Sequence, residues 1–175
     1  MDDSYICGGE KFTYRNGYIA LPLGLSGLPE SIEIGGEVLQ RKTEFHVSLL
    51  RVKTILEKFP NTEEQIINSF CEFVKKEDIS FLHFTGEFRF AEKLAETGER
   101  KTVVAMCEVS NLRVFSDQLA NELGVLISPQ PTHVTLYTLQ PNAGIGLNSP
   151  EDLNTLSKPV DVSDEVRQSI DIRRQ

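Results

Sequence analysis

A short strand pattern occurs twice in this chain, once in each half. The first copy is His46-Val47-Ser48-Leu49, and the second is His133-Val134-Thr135-Leu136. Side chains alternate between the two faces of a strand, so each copy places an imidazole and a hydroxyl on one face, roughly 7 Å apart. The apolar residues between them face the other way and can enter a core. Two imidazoles and two hydroxyls, once brought together, suit a phosphodiester chemistry that needs no metal.

This pattern resembles the 2H phosphoesterase superfamily, which is named for two His-x-Ser/Thr motifs contributed by the two halves of one fold. The segment Gly17-Tyr18-Ile19-Ala20-Leu21-Pro22-Leu23 is similar to the opening strand of that family. The order of elements between the motifs also fits, and the resemblance covers roughly residues 15–160. It implies an RNA 2′,3′-cyclic phosphodiesterase-like enzyme that opens a cyclic phosphate on an RNA 3′ end or a small nucleotide.

The resemblance also implies a role for each motif residue. His133 would be the general base and His46 the general acid, with a 2′-phosphate as the product. Ser48 and Thr135 would donate hydrogen bonds to the phosphate oxygens. Tyr137 continues the alternation of His133 and Thr135, so we expect it either to line the groove and stack on a base or to be an exposed strand residue. The residues alone leave the acid and base assignments open.

Other candidates carry a weaker signal. The third histidine also fits the pattern, as His83-Phe84-Thr85, but Gly86 follows and indicates a hairpin or bulge. We therefore assign His83 to an exposed or half-buried strand position outside the site. The loop Gly144-Ile145-Gly146-Leu147 is interpreted as a turn that could rim the site. Positive charge near the phosphate could come from four basic residues, which are otherwise solvated surface groups: Arg51, Lys53, Arg100 and Lys101.

Length and element order predict a single α+β domain. The chain of 175 residues is long enough for a sizeable core. We expect two pseudo-symmetric lobes, roughly residues 15–80 and 81–162, with antiparallel sheets, helices outside and a central groove. Residues 1–16 are predicted to be a polar lead-in, and the tail 163–175 is left unassigned.

Local patterns predict the main elements. Apolar residues at helical spacing predict a helix over 66–74, with a capping box at Thr62 and Gln65. A second helix is predicted between Asn111 and Gly124. A short helix is expected near 150–156, followed by a short strand at Val160 and Val162. Strands are predicted at 18–23, 44–50, 81–90, 102–109 and 132–139, with a hairpin over 32–39.

Cysteine usage and the N-terminus predict a cytoplasmic protein. Cys7, Cys71 and Cys107 are odd in number and form no C-x-x-C pair. Cys71 and Cys107 lie in apolar stretches and are interpreted as small core residues, which suits a reducing compartment. No signal peptide is visible, and no apolar segment approaches the ~20 residues that a membrane span requires.

The charge balance limits the class of partner. A net charge of −8 argues against a protein that coats long nucleic acid, since such proteins need a basic surface. We expect a monomer that needs neither cofactor nor metal. A binding module that holds a nucleotide without turnover is the main alternative. A zinc enzyme that uses His46 and His133 as ligands is a third possibility, although neither histidine has a partner at a familiar ligand spacing.

Overall fold

A computed structural model describes the backbone of residues 4–174 and the side chains of residues 4–170. The strands are β1 (Tyr5–Ile6), β2 (Phe12–Arg15), β3 (Tyr18–Leu23), β4 (Ser31–Ile34), β5 (Glu37–Arg41), β6 (Phe45–Arg51), β7 (Phe81–Ala95), β8 (Gly98–Val109), β9 (His133–Thr138) and β10 (Ser157–Pro159). The helices are α1 (Val52–Lys58), α2 (Glu63–Lys76), α3 (Leu112–Leu123), α4 (Pro150–Leu156) and α5 (Asp164–Arg174). None of these helices is both long and apolar enough to cross a bilayer.

The strands join one large antiparallel sheet with the order β1-β2-β3-β6-β9-β8-β7-β10. The hairpin of β4 and β5 lies off this path and pairs with the end of β9. The two motif strands β6 and β9 are therefore adjacent at the centre of the sheet. The prediction of a single α+β domain with antiparallel strands is confirmed.

The two faces of the sheet are covered differently. Helices α1, α2, α3 and α5 bury their apolar residues in the main core on one face, where Phe70 of α2 packs edge-on against Phe115 of α3. On β8, Val103 and Ala105 face this core, whereas Val104 and Met106 face the other side. A smaller cluster on that second face is covered by α4 and the loop before it. The remainder of the second face is open.

Each motif strand contains a bulge at the same position. In β6, Ala20 pairs with Ser48 and Ile19 pairs with Leu50, so Leu49 is the extra residue. In β9, Thr135 and Tyr137 pair with consecutive residues of β8, so Leu136 is the extra residue. A bulge of this kind interrupts the alternation of side chains between faces. In both strands, the two residues that follow the hydroxyl residue therefore face the core.

The remaining elements agree only in part with those predicted from the sequence. Strand β3 has the predicted bounds, and Gly124 follows the end of α3, as predicted, in the left-handed conformation. The predicted capping box is wrong, because the Thr62 hydroxyl donates to the Phe59 carbonyl and Gln65 instead contacts Glu122. The lead-in contains two strands, the unassigned tail forms α5, and the last strand is β10 rather than a strand at 160–162. Strands β7 and β8 extend beyond the predicted ranges of 81–90 and 102–109 and form one long hairpin with a tight turn.

A disulfide joins the N-terminal segment to a helix. Cys7, which follows β1, is bonded to Cys71 on α2. The prediction that Cys71 is an unpaired core residue is therefore wrong, whereas Cys107 is free and buried as predicted. The two half-cystines are far apart in the sequence, and only the packing of β1 and β2 beside α2 brings them together. The cytoplasmic location depended partly on unpaired cysteines, so it stays a prediction with less support.

Candidate functional site

The register of β6 and β9 brings the two motifs together on the open face. Val47 is paired with Val134 in this antiparallel ladder. Neighbours on either side of such a pair are also opposite each other, so His46 faces Thr135 and Ser48 faces His133. Cβ atoms of directly opposed residues are about 4.5–5.5 Å apart. Each imidazole thus has a hydroxyl from the other strand beside it and the second imidazole on the diagonal.

The four motif side chains lie on the floor of one groove. The groove has a volume of about 770 Å³, and His46, Ser48, His133 and Thr135 all line it. Its walls come from β2 and β3, from the connection between β5 and β6, and from the loop over residues 142–148. The volume is within the range of small-molecule sites, about 300–1,000 Å³. Residues Gly144–Leu147, which were predicted to form a turn, are an irregular segment that forms part of the rim.

A backbone hydrogen bond fixes the orientation of His133. Its Nδ1 lies 2.7 Å from the carbonyl oxygen of Pro131, which can only accept, so Nδ1 carries the proton in the neutral ring. The Nε2 lone pair is then left for the groove. The residue is only 8 % exposed, and this burial lowers the pKa of the imidazole, with Lys42 acting in the same direction and the bond to Pro131 opposing both. A neutral His133 with a free Nε2 has the form of a general base.

His46 is less constrained than His133. The residue is open to the water of the groove and makes no hydrogen bond with the residues that the structure describes. Although one side of the ring is open, desolvation by the groove walls lowers its pKa to about 4, and Lys42, His133 and Arg15 act in the same direction. Both imidazoles are therefore neutral at pH 7 while the groove holds only water. An anion between them would oppose these effects and favour protonation.

Lys42 is a basic residue that lowers the pKa of both His46 and His133. It lies between β5 and β6, and its backbone N–H donates to the carbonyl of the bulged residue Leu136 at 2.9 Å. Its ammonium group forms no ion pair with any residue in the described part of the chain. Burial lowers the pKa of this half-buried lysine, and Glu44 only partly opposes the shift. A desolvated cation without a carboxylate partner is costly unless an anion binds to it.

Two arginines extend the positive charge along the groove. Arg15 lies on one wall, where its Nε donates to the Ser4 hydroxyl and its Nη1 is 3.7 Å from Glu44. Arg100 lies on the opposite rim and donates from Nη1 to the Gly144 carbonyl at 3.0 Å. Glu44 is the single carboxylate among the described residues that line the groove, against three basic side chains. The described lining of the groove therefore carries more basic than acidic side chains, although the net charge of the chain is −8.

Tyr137 does not line the groove, so its predicted role as a base-stacking residue is wrong. The residue is fully buried in the main core, and its hydroxyl donates to the Pro29 carbonyl at 2.7 Å. The physical reason is the bulge at Leu136, which rotates Tyr137 to the face opposite Thr135. Tyr18 and Tyr5 are the tyrosines that do line the groove.

Of the other candidate residues, some line the groove and some lie outside it. Arg100 lines the groove as one of the predicted options, whereas Lys101 contacts Glu37 outside it. His83 is a half-buried residue of β7, as predicted, and its Nε2 lies 3.0 Å from Glu108. No group of three or more His, Cys, Asp or Glu residues suited to holding a metal ion is present within the described residues.

Sequence reasoning missed two of the groove cations. Lys42 lies outside any strand alternation, so its position depends on the pairing of β5 with β9, which no local pattern reveals. Arg15 was assigned to the lead-in, although the alternation of Phe12 and Tyr14 with polar neighbours is a strand signal. Comparison of the chain with protein-family models, with curated proteins and with solved structures finds no match.

Proposed function

We propose that this protein is a metal-independent phosphodiesterase that hydrolyses 2′,3′-cyclic phosphates of RNA ends or small nucleotides. The observation that carries the proposal is the pairing of Val47 with Val134, because it sets His46 and His133 on the floor of a single groove. Two imidazoles on either side of one phosphate can divide the work of base and acid. The resemblance to 2H phosphoesterases supports the same reading.

The proposed reaction is a single displacement at phosphorus. His133 Nε2 accepts a proton from water, and the water oxygen forms a new bond to phosphorus. The bond from phosphorus to the ribose 3′ oxygen breaks, and that oxygen takes a proton from the imidazolium of His46. The product is a 2′-phosphate, as the family resemblance implies. The hydroxyls of Ser48 and Thr135 and the ammonium of Lys42 stabilise the charge on the non-bridging oxygens.

The tautomer of His133 supports its assignment as the base, because Nδ1–H is engaged with Pro131 and Nε2 is free to accept. His46 must be protonated to act as the acid, although its pKa is lowered to about 4 in the free protein. The negative charge of a bound cyclic phosphate supplies the opposing field that raises this pKa. Substrate binding and protonation of His46 are coupled in this proposal.

The pseudo-symmetry of the 2H fold is part of the proposal. Both motifs have a bulged leucine one position after the hydroxyl residue, Leu49 in one strand and Leu136 in the other. The motif strands are also neighbours, with β3 outside β6 and β8 outside β9. Such equivalence is expected if each half of the chain contributes one lobe, over roughly residues 15–80 and 81–162.

The test uses a nucleoside 2′,3′-cyclic phosphate and separates the products by chromatography. We expect His46→Ala and His133→Ala each to lower kcat/KM by about 10²–10⁴-fold, the range for loss of a general acid or base. His83→Ala is the matched control, because it removes the third His-x-Thr histidine, which lies outside the groove. Chelator should leave the rate unchanged. Full activity of the His46 or His133 variant, with its fold intact, would refute the assignment.

A nucleotide-binding module without turnover is the second candidate. Both imidazoles are neutral in the free protein, so neither is ready to act as the acid. The hydroxyls and cations of the groove can still hold an anion, which favours binding without turnover. Isothermal titration with the cyclic nucleotide, followed by analysis of the ligand, separates the two functions. Binding with unchanged ligand supports the module, whereas conversion to a phosphomonoester supports the enzyme.

A further inference from the structure

A second cavity adjoins the groove at the C-terminal end of β6. Its volume is about 280 Å³, and it lies between α1, the segment 125–130 and the start of α4. Gln130 and Asn148 line both this cavity and the groove. These two side chains are held in place, since Gln130 donates to the Leu147 carbonyl and Asn148 accepts from the Tyr18 hydroxyl. The two cavities therefore share one wall.

One side of the second cavity is apolar. Phe59 and Ile127 line it, and both are partly buried against the main core. Leu126 lies at the same cavity and is 96 % exposed. A leucine with nearly all of its surface in water has apolar area left for a ligand to cover. An aromatic ring beside such a surface suits the flat face of a nucleobase.

The other side of the second cavity carries unpaired positive charge. Arg51 and Lys58 line it and form no ion pair with the described residues. The Arg51 guanidinium is over the Tyr18 ring at 5.9 Å and donates from Nη1 to Thr54, but its buried Nε has no partner. The one carboxylate in the described lining, Asp152, already accepts from the Asn148 backbone N–H at 3.0 Å.

The spacing along β6 relates the two cavities to a nucleotide chain. Arg51 follows Ser48 by three positions, so their Cα atoms are at most about 10 Å apart along the strand. This distance is on the scale of one nucleotide unit. A phosphodiester that enters the second cavity can therefore be linked to the ribose whose cyclic phosphate is held by the two motifs.

We propose that the second cavity binds the nucleotide that precedes the cyclic phosphate, so that the ligand is an oligoribonucleotide end rather than a lone mononucleotide. Arg51 and Lys58 contact the linking phosphodiester, and the base packs on Phe59 and Leu126. This inference rests on the proposed function of the groove. It needs only one preceding nucleotide, which is consistent with the acidic character of the rest of the chain.

Isothermal titration with two stable probes tests the proposal without requiring turnover. The probes are a nucleoside 2′-phosphate and a dinucleotide that ends in the same nucleoside 2′-phosphate. We expect the dinucleotide to bind at least about tenfold more tightly, since stacking of one base can supply that factor. Lys58→Gln and Arg51→Gln should each reduce the affinity ratio toward one. Lys53→Gln is the matched control, because Lys53 is exposed and lines neither cavity.

The outcomes distinguish this inference from the proposed function. Equal affinity of the wild-type protein for both probes, or a ratio unchanged by Lys58→Gln, would overturn the second subsite and leave the groove proposal standing. A preference for the dinucleotide in a protein that never hydrolyses the cyclic phosphate would support the subsite and refute the enzyme. Failure of both probes to bind would overturn both. If Arg51→Gln does not fold, Lys58→Gln carries the test because Lys58 is exposed.

Discussion

Replacing Tyr137 by Phe should destabilise the fold without affecting ligand binding. The Tyr137 side chain is fully buried, and burial raises its pKa to about 12, so the hydroxyl stays neutral and donates to Pro29 at 2.7 Å. The phenylalanine fills the same core space but leaves the Pro29 carbonyl without this donor. Loss of one buried hydrogen bond costs about 1–2 kcal/mol. In a domain of this size that corresponds to a decrease in Tm of about 2–8 °C.

Urea denaturation gives the free energy of unfolding, and titration with inorganic phosphate gives the affinity of the groove. We expect a lower midpoint for Tyr137→Phe with an unchanged m-value, because the compactness of the native state is the same. Tyr5→Phe is the control, since Tyr5 lines the groove and is 38 % exposed. The reasoning is refuted if Tyr137→Phe keeps full stability and instead loses phosphate affinity, which is the behaviour of a groove residue.

Three further predictions concern the charges and the disulfide. The pKa values of His46 and His133 are lowered in the folded state, so the unfolded chain binds more protons between pH 6.5 and about 4. The free energy of unfolding should therefore fall as the pH falls through this range. Denaturation curves at several pH values measure this dependence, and a free energy that does not change with pH contradicts it. Lys42→Gln should raise the pKa of both histidines in an NMR titration and weaken phosphate binding at pH 7, whereas unshifted histidine pKa values would place the ammonium away from the site. Thiol titration in denaturant should find the Cys7–Cys71 pair only after reduction, and the Cys7→Ala/Cys71→Ala double variant should lose roughly 2–4 kcal/mol of stability; three reactive thiols without reductant would contradict the bond.

Alternation within single strands could predict the motif residues but not the full length of their strands. His46 and Ser48 share one face and line the groove, as do His133 and Thr135, because the pleat is regular over those three positions. The alternation then fails at the bulges, which is why Tyr137 was placed on the wrong face. A signal was present, since two large apolar residues in succession, Leu136 and Tyr137, contradict a two-sided strand.

Features that depend on contacts between distant segments could not be predicted. The Cys7–Cys71 bond requires β1 and β2 to pack beside α2, and cysteine spacing contains no information about that packing. Lys42 reaches the groove because β5 pairs with the end of β9, a crossover between elements far apart in the sequence. Local capping patterns were equally misleading at Thr62, where the hydroxyl has a closer acceptor in the preceding turn.

The two bulges explain how so short a motif can form a site. A regular strand would continue to present every second residue to the groove, so Leu50 and Tyr137 would have to be either polar or exposed. With an extra residue after Ser48 and after Thr135, each strand contributes one imidazole and one hydroxyl and then returns two consecutive apolar residues to the core. Each motif strand therefore contributes only two polar side chains to the groove, and the core beneath it stays continuous. Regular pairing of either strand with all of its residues retained would exchange the two faces beyond the hydroxyl residue, so the site and the core depend on the same backbone irregularity.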